Sequence, residues 1–197
     1  MIELKNVSFS YGEQEILKDF NLKVENGQCV CLKGPSGCGK TTVLRLAMGL
    51  LRPDSGEVLG MELPSVVFQE DRLLNGLSLE KNVLLPPLTD SQKIKAQDLI
   101  KEAGLDDAKH KKVRYLSGGM KRRTAIVRAV AFQGDALILD EPFNGIDREN
   151  KLKMAEMIKR EFLDKGKPVL MVSHVDSDAE ILGATIYDFE PSSSYGL

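Results

Sequence analysis

The sequence predicts an α/β fold: a mainly parallel sheet, an antiparallel β layer ahead of it, and a helical insertion in the core. Three observations carry that prediction. Residues 2–9 alternate in the manner of a half-buried strand, with Ile2, Leu4, Val7 and Phe9 as the inward set. Ala136-Leu137-Ile138-Leu139 and Pro168-Val169-Leu170-Met171-Val172 are short continuous apolar runs, as expected of parallel strands covered on both faces. From Asp71 to about Leu116 the pattern becomes polar and helical. With 197 residues, one domain over 1–197 with a helical subdomain at about 71–120 is the expected organisation.

Taken in order, Tyr11-Gly12-Glu13-Gln14-Glu15 reads as a turn and Ile16 to Val24 as a second strand. Glu25-Asn26-Gly27 reads as a hairpin signal into the strand Gln28–Leu32. A helix follows to about Leu51, ended by the turn residues Pro53-Asp54-Ser55-Gly56. Glu57–Leu59 and Ser65–Phe68 are short strand candidates. Ser78 can cap Leu79–Leu85, which Pro86-Pro87 stops. Ser91 to Ala103 is an amphipathic helix, with Ile94, Leu99, Ile100 and Ala103 on its apolar side and Gly104 at its end. A helix after Ser117 carries Ala125, Ile126, Ala129 and Val130; Arg148–Asp164 is another. Asp178–Leu182 is a short helix, Ala184–Phe189 a last strand, and Pro191–Tyr195 a loose tail.

Bulk properties narrow the function classes. A net charge of −2 supplies no electrostatic reason for a nucleic-acid partner. No apolar run approaches the ~20 residues needed to span a bilayer, and the N-terminus lacks a signal-peptide pattern. Three cysteines do not suggest a disulfide framework, so the expected location is cytoplasmic. Cys29 and Cys31 share one strand face without the further ligands a metal site needs.

The chemistry centres on Gly34-Pro35-Ser36-Gly37-Cys38-Gly39-Lys40-Thr41-Thr42, which fits G-x-x-x-x-G-K-[ST] between a strand and a helix. Glycines let the backbone wrap around phosphate oxygens with N–H groups pointing inward, and the helix start adds partial positive charge. Lys40 is placed to reach β/γ-phosphates and the Thr41 hydroxyl to ligate Mg²⁺. Cys38 lies inside this loop, where alkylation is expected to block nucleotide binding. Asp140-Glu141 follow the strand 136–139, at the sheet edge where ligands collect in open α/β folds. There Asp140 can hold Mg²⁺ and Glu141 can polarise an attacking water. Leu116-Ser117-Gly118-Gly119-Met120 opens a second helix: Ser117 as cap, Gly118 and Gly119 exposing N–H groups. One triphosphate does not need two such cradles in one monomer, so the second points to a nucleotide on a partner subunit.

In this order the motifs resemble the nucleotide-binding subunit of ATP-binding-cassette (ABC) transporters, over nearly the whole chain. The resemblance implies a P-loop NTPase (RecA-like) core and two ATP molecules, each with Mg²⁺, sandwiched in a head-to-tail homodimer or paired ABC subunit. It further implies transmembrane permease partners and a peripheral place on the inner face of the cell membrane. By the same resemblance, Tyr11 stacks on adenine and Gln69 is the glutamine that touches Mg²⁺. Glu141 and Lys40 serve hydrolysis, Asp147 lies in the loop that crosses the dimer interface, and His174 is the switch histidine. Met120 and the stretch Phe68–Leu74 are similar to importers of nitrate, sulfonate or taurine. Asn144-Gly145-Ile146-Asp147 keeps only the aspartate of the usual interface loop, and residues 57–66 are short for the family. Other classes are a soluble ABC-type ATPase, expected to show coiled-coil arms or tandem cassettes, and a regulatory module with little turnover.

Overall fold

The computed structural model describes residues 1–189; the tail Pro191–Tyr195 lies outside the described residues. Two sheets are stacked. The first is antiparallel, in the order β2-β1-β4, from β1 (Ile2–Tyr11), β2 (Gln14–Val24) and β4 (Ser55–Leu59). The second is parallel, in the order β5-β6-β7-β3-β8. Its strands are β3 (Cys29–Lys33), β5 (Ser65–Val67), β6 (Leu137–Asp140), β7 (Val169–Val172) and β8 (Thr185–Asp188).

Alternation explains how the apolar runs serve two cores. Val30, Leu32, Ile138, Leu170 and Val172 face the antiparallel layer and α1 (Lys40–Ala47). There they meet Ile2, Leu4, Val7 and Phe9, all buried as their alternation requires. Cys29, Cys31, Leu137, Leu139, Val169 and Met171 face the opposite core with the remaining helices. These are α2 (Leu79–Val83), α3 (Asp90–Glu102), α4 (Gly118–Phe132), α5 (Arg148–Glu161) and α6 (Asp176–Leu182). Burial on that side pushes the Cys29 thiol up to about 12.

Three local expectations are corrected. The turn at Glu25-Asn26-Gly27 is not a hairpin: β2 stays in the antiparallel sheet, whereas β3 pairs in parallel with β7 and β8. Turn chemistry sets the reversal; the partner of the next strand is chosen by burial on both faces. The loop helix ends at Ala47 rather than Leu51, because Gly49 at φ +69° closes it with the Gly49 and Leu50 N–H groups bonded to Leu46 O and Arg45 O. Ile94 is 70% exposed; the buried side of α3 is Ala96, Leu99 and Ile100, and the helix starts earlier, on a Thr89–Gln92 capping box.

A buried ion cluster fixes α3 to α5. Glu161 is 3% exposed and meets Lys95, Lys165 and Arg160. Burial alone would raise its carboxyl, but the three cations outweigh it and bring the value to about 2.

Candidate active site

The parallel order places four strand ends on one edge. Val67 is level with Leu139, Asp140 with Val172, and Val172 with Leu32. The chain leaving each strand at that level carries Gln69, Glu141, His174 or the glycine-rich loop. Sequence-distant groups therefore meet because the strands share a direction and a register.

They line one cavity of about 360 Å³, with Tyr11 at its rim and Ser36, Gly37, Gly39, Lys40, Thr41 and Thr42 along the loop side. Gln69, Asp140, Glu141 and His174 line it as well. Gly39 stands at the Ncap position of α1 with φ +110°, where a Cβ would lie 2.8 Å from Ile16 Cγ2. Only glycine fits that backbone and that space. It brings no side-chain cap, so the first turn of α1 keeps its N–H groups for another acceptor. Lys40 is buried and folds into its own loop, donating to Gly34 O at 2.8 Å and Pro35 O at 2.7 Å. Gly34, Pro35 and Cys38 do not line the cavity. The Cys38 thiol is 3% exposed and packed in the core, so the expected alkylation site is closed to a reagent in this conformation.

Across the cavity stand two carboxylates. Burial holds the Asp140 carboxyl above the usual carboxylate range, opposed by Arg122, Arg45, His174 and Lys40. Burial also raises Glu141, opposed by His174. Glu141 sits at φ +49°, and its Oε1 is buried with no hydrogen-bond partner among the described residues. His174 Nε2 lies 3.3 Å from that oxygen, within ion-pair distance but outside hydrogen-bonding geometry. An unsatisfied carboxylate oxygen, with the oxygen donors of Thr41, Gln69 and Asp140 beside it, suits a hard cation and an activated water. Tyr11 is 43% exposed, edge-on to Phe9 at 4.9 Å, and its hydroxyl accepts from Arg45 at 3.4 Å.

Ser117, Gly118, Gly119 and Asp147 do not join this cavity. Ser117 Oγ accepts the Met120 N–H at 3.3 Å and caps α4, with Ser117 and Gly118 exposed. Gly119 is close-packed: a Cβ there would approach Gly145 O at 3.1 Å. Asp147 caps α5 through the Asn150 N–H at 3.0 Å, and hydrogen bonds from Asn150 hold its carboxyl below the usual range. The expected residues thus form one assembled group and one separate, outward-facing group.

Two buried polar residues escaped the sequence reading. Arg122 binds backbone carbonyls of both Phe68–Gln69 and Asp140–Pro142. Asp178, 2% exposed, accepts Ser173 Oγ at 2.9 Å and Lys151 Nζ at 2.8 Å, anchoring the loop that carries His174. Their only sequence signal was a charge at a helical position facing the core.

Residues 17–144 match the family model described as ABC transporter, and the chain belongs to that family. It is an ATP-binding and ATP-hydrolysing subunit, with Mg²⁺ as cofactor. It is 34% identical over 194 residues to an aliphatic sulfonates import ATP-binding protein of Shouchella clausii, covering 98% of this chain and 78% of the relative. A dimeric structure of a bacterial ABC transporter cassette superimposes with TM-score 0.84 at 30% identity, covering 96% of this chain and 94% of that one. A post-hydrolysis dimer of an ATP-binding cassette bound to ADP and Pi gives TM-score 0.83 at 28% identity, covering 97% and 95%. No helix among the described residues is long and apolar enough to cross a membrane.

Proposed function

We propose that this subunit powers solute passage through a membrane permease by pairing head to tail with a second copy, or with a paired ABC subunit, around two ATP molecules. The observation that carries the reading is the division of the nucleotide-binding groups. An uncapped helix start, Lys40 and the carboxylates share one cavity, while the Ser117–Gly119 turn is outside it, with Ser117 and Gly118 exposed. That two solved relatives are dimeric, one of them bound to ADP and Pi, supports a paired arrangement.

In this reading Tyr11 stacks on adenine, and the loop Gly34–Thr42 wraps the phosphates through its backbone N–H groups. Lys40 leaves the Gly34 and Pro35 carbonyls for β/γ-phosphate oxygens. Thr41, Gln69 and Asp140 would hold Mg²⁺, which neutralises phosphate charge when bound. Glu141 orients and polarises the attacking water, and His174 hydrogen-bonds the γ-phosphate. Ser117, Gly118 and Gly119 contact the nucleotide held by the other subunit, with Asp147 at the interface. Phosphate loss removes the shared ligand and opens the pair, and that motion drives the permease on the cytoplasmic face of the membrane. The sulfonate importer relative suggests a small organic anion as solute, chosen by the permease rather than by this chain.

Two measurements test the proposal. Light scattering of Glu141→Gln in Mg²⁺-ATP should give a stable dimer that wild type forms only transiently; a monomer at saturating ATP would remove the pairing. Affinity purification from gently solubilised membranes should recover a polytopic membrane protein in stoichiometric amount. Soluble partners alone would favour the soluble ATPase class.

A further inference from the structure

Arg122 lies one turn past the Ser117 cap and is 4% exposed. Every N–H of its guanidinium has an acceptor. Nε donates to Pro142 O at 2.9 Å, and Nη2 to Asp140 O and Glu141 O, both at 2.6 Å. Nη1 donates to Phe68 O at 2.5 Å, with Gln69 O at 3.3 Å and Asp71 Oδ1 at 3.2 Å. A buried cation needs only one carboxylate for neutrality, and Asp71 provides it. The five carbonyl contacts are beyond that need, and they fall on the two segments that present Gln69, Asp140 and Glu141 to the cavity.

One of those contacts also addresses a strained position. Glu141 holds φ +49°, a region that side-chain-bearing residues keep only when their surroundings impose it. Its carbonyl is fixed by Arg122, its N–H by Val172 O at 2.9 Å. Arginine alone has the planar fork for this task; lysine has three donors on one point charge. Nearby, Arg128 bonds Asp71 O and Arg72 O but does not reach the end of β6.

We propose that Arg122 is a positioning residue for ATP hydrolysis. It sets the Gln69 and Glu141 backbones relative to each other and fastens both to the helix whose first turn is Ser117-Gly118-Gly119. Alignment of a subunit's own carboxylates and presentation of its outward turn are thereby one rigid-body event. The second half of this inference rests on the pairing proposed above; the first half does not.

The test compares wild type, Arg122→Lys and Arg122→Met in the full chain. It reads kcat and KM for ATP, fluorescent-nucleotide affinity, and amide exchange over 68–71 and 140–142. Arg122→Lys should lower kcat at least tenfold with KM and affinity within threefold, and speed exchange in both segments. Arg122→Met should lower kcat further; if it does not fold, the lysine variant decides. A lysine variant with kcat within twofold of wild type overturns the proposal, as does a loss of nucleotide affinity that accounts for the whole defect. The coupling half is read from ATP dependence: Arg122→Lys should reduce the Hill coefficient toward one. If Glu141→Gln fails to dimerise in ATP, the pairing fails, while the kcat and exchange results still judge Arg122.

Discussion

The helix starts at Lys40 and at Gly118 are built from similar sequence, a short glycine-rich turn before an apolar-faced helix, yet their surroundings differ. Around Lys40 the first turn lacks a side-chain cap and faces two carboxylates and His174 across a cavity of about 360 Å³. Around Gly118 the turn carries a serine cap and faces outward, with Gly119 packed against Gly145 O. The first has the charges that phosphoryl chemistry requires; the second has only oriented N–H groups. The difference teaches that a helix start becomes a reactive site through what the sheet edge places opposite it. A start without such neighbours can contribute only by being brought to a nucleotide.

The strongest way to break this contrast is Lys40→Ala. Its ATPase turnover should fall by about 10²–10³, the scale for removing a charge-stabilising group at a transition state, and nucleotide affinity should fall with it. Turnover within threefold of wild type in a steady-state assay would deny the first cradle its assigned role. Gly118→Ala should act on the other cradle alone. A Cβ there meets nothing within 4 Å, and alanine favours a helix over glycine by ~1 kcal/mol, so thermal stability should hold or rise. Nucleotide binding by the isolated chain should be unchanged while turnover falls about tenfold, because the added methyl group holds a partner's nucleotide off the retained N–H groups, the order of one lost hydrogen bond. Weaker binding by the monomer would mean that both cradles serve the same nucleotide.

Asp178→Ala sharpens the contrast from the side of the sheet edge. It leaves Lys151 unpaired near the core and frees the Ser173 loop, so it should destabilise by about 3 kcal/mol and lower turnover through His174 without touching the Ser117 turn. Chemical denaturation with a parallel ATPase assay checks both; destabilisation by about 3 kcal/mol with normal turnover would separate His174 from this anchor.

The smallest effect concerns pH. Burial raises the Glu141 carboxyl, so the folded chain binds its proton more readily than the unfolded chain does. Its contribution to stability is therefore fully present below the ordinary glutamate value and is lost as pH rises through the folded value. Glu141→Gln should melt slightly higher than wild type at pH 7–8 and lose that advantage toward pH 4. Wild-type kcat/KM should fall on the acid side at a pH above the ordinary glutamate range. A melting temperature unchanged by the substitution at every pH would show that the buried carboxylate carries no penalty.

Much of this was legible in local pattern. The inward set of β1, the loop Gly34–Thr42, the serine caps at 78 and 117, and the acidic pair after β6 depend on periodicity or on neighbours a few residues away. Other features were not. Glu25-Asn26-Gly27 makes the same reversal whether the next strand returns to its own sheet or crosses to another. Ile94 fits an apolar helical stripe by spacing, but α4 covers a neighbouring stripe and leaves it in solvent. Arg122 and Asp178 look like ordinary surface charges because their hydrogen-bond partners lie 18–54 and 5–27 residues away.

By itself, then, the sequence determined which segments become strands and helices and which loop can cradle phosphate, since these depend on short-range geometry and on the chemistry of adjacent residues. Only the tertiary structure decided that Gln69, Asp140, Glu141 and His174 share one cavity with Lys40 and that Ser117 does not. That outcome depends on parallel strand order and register, which are set by burial of both sheet faces across distances no local pattern can encode.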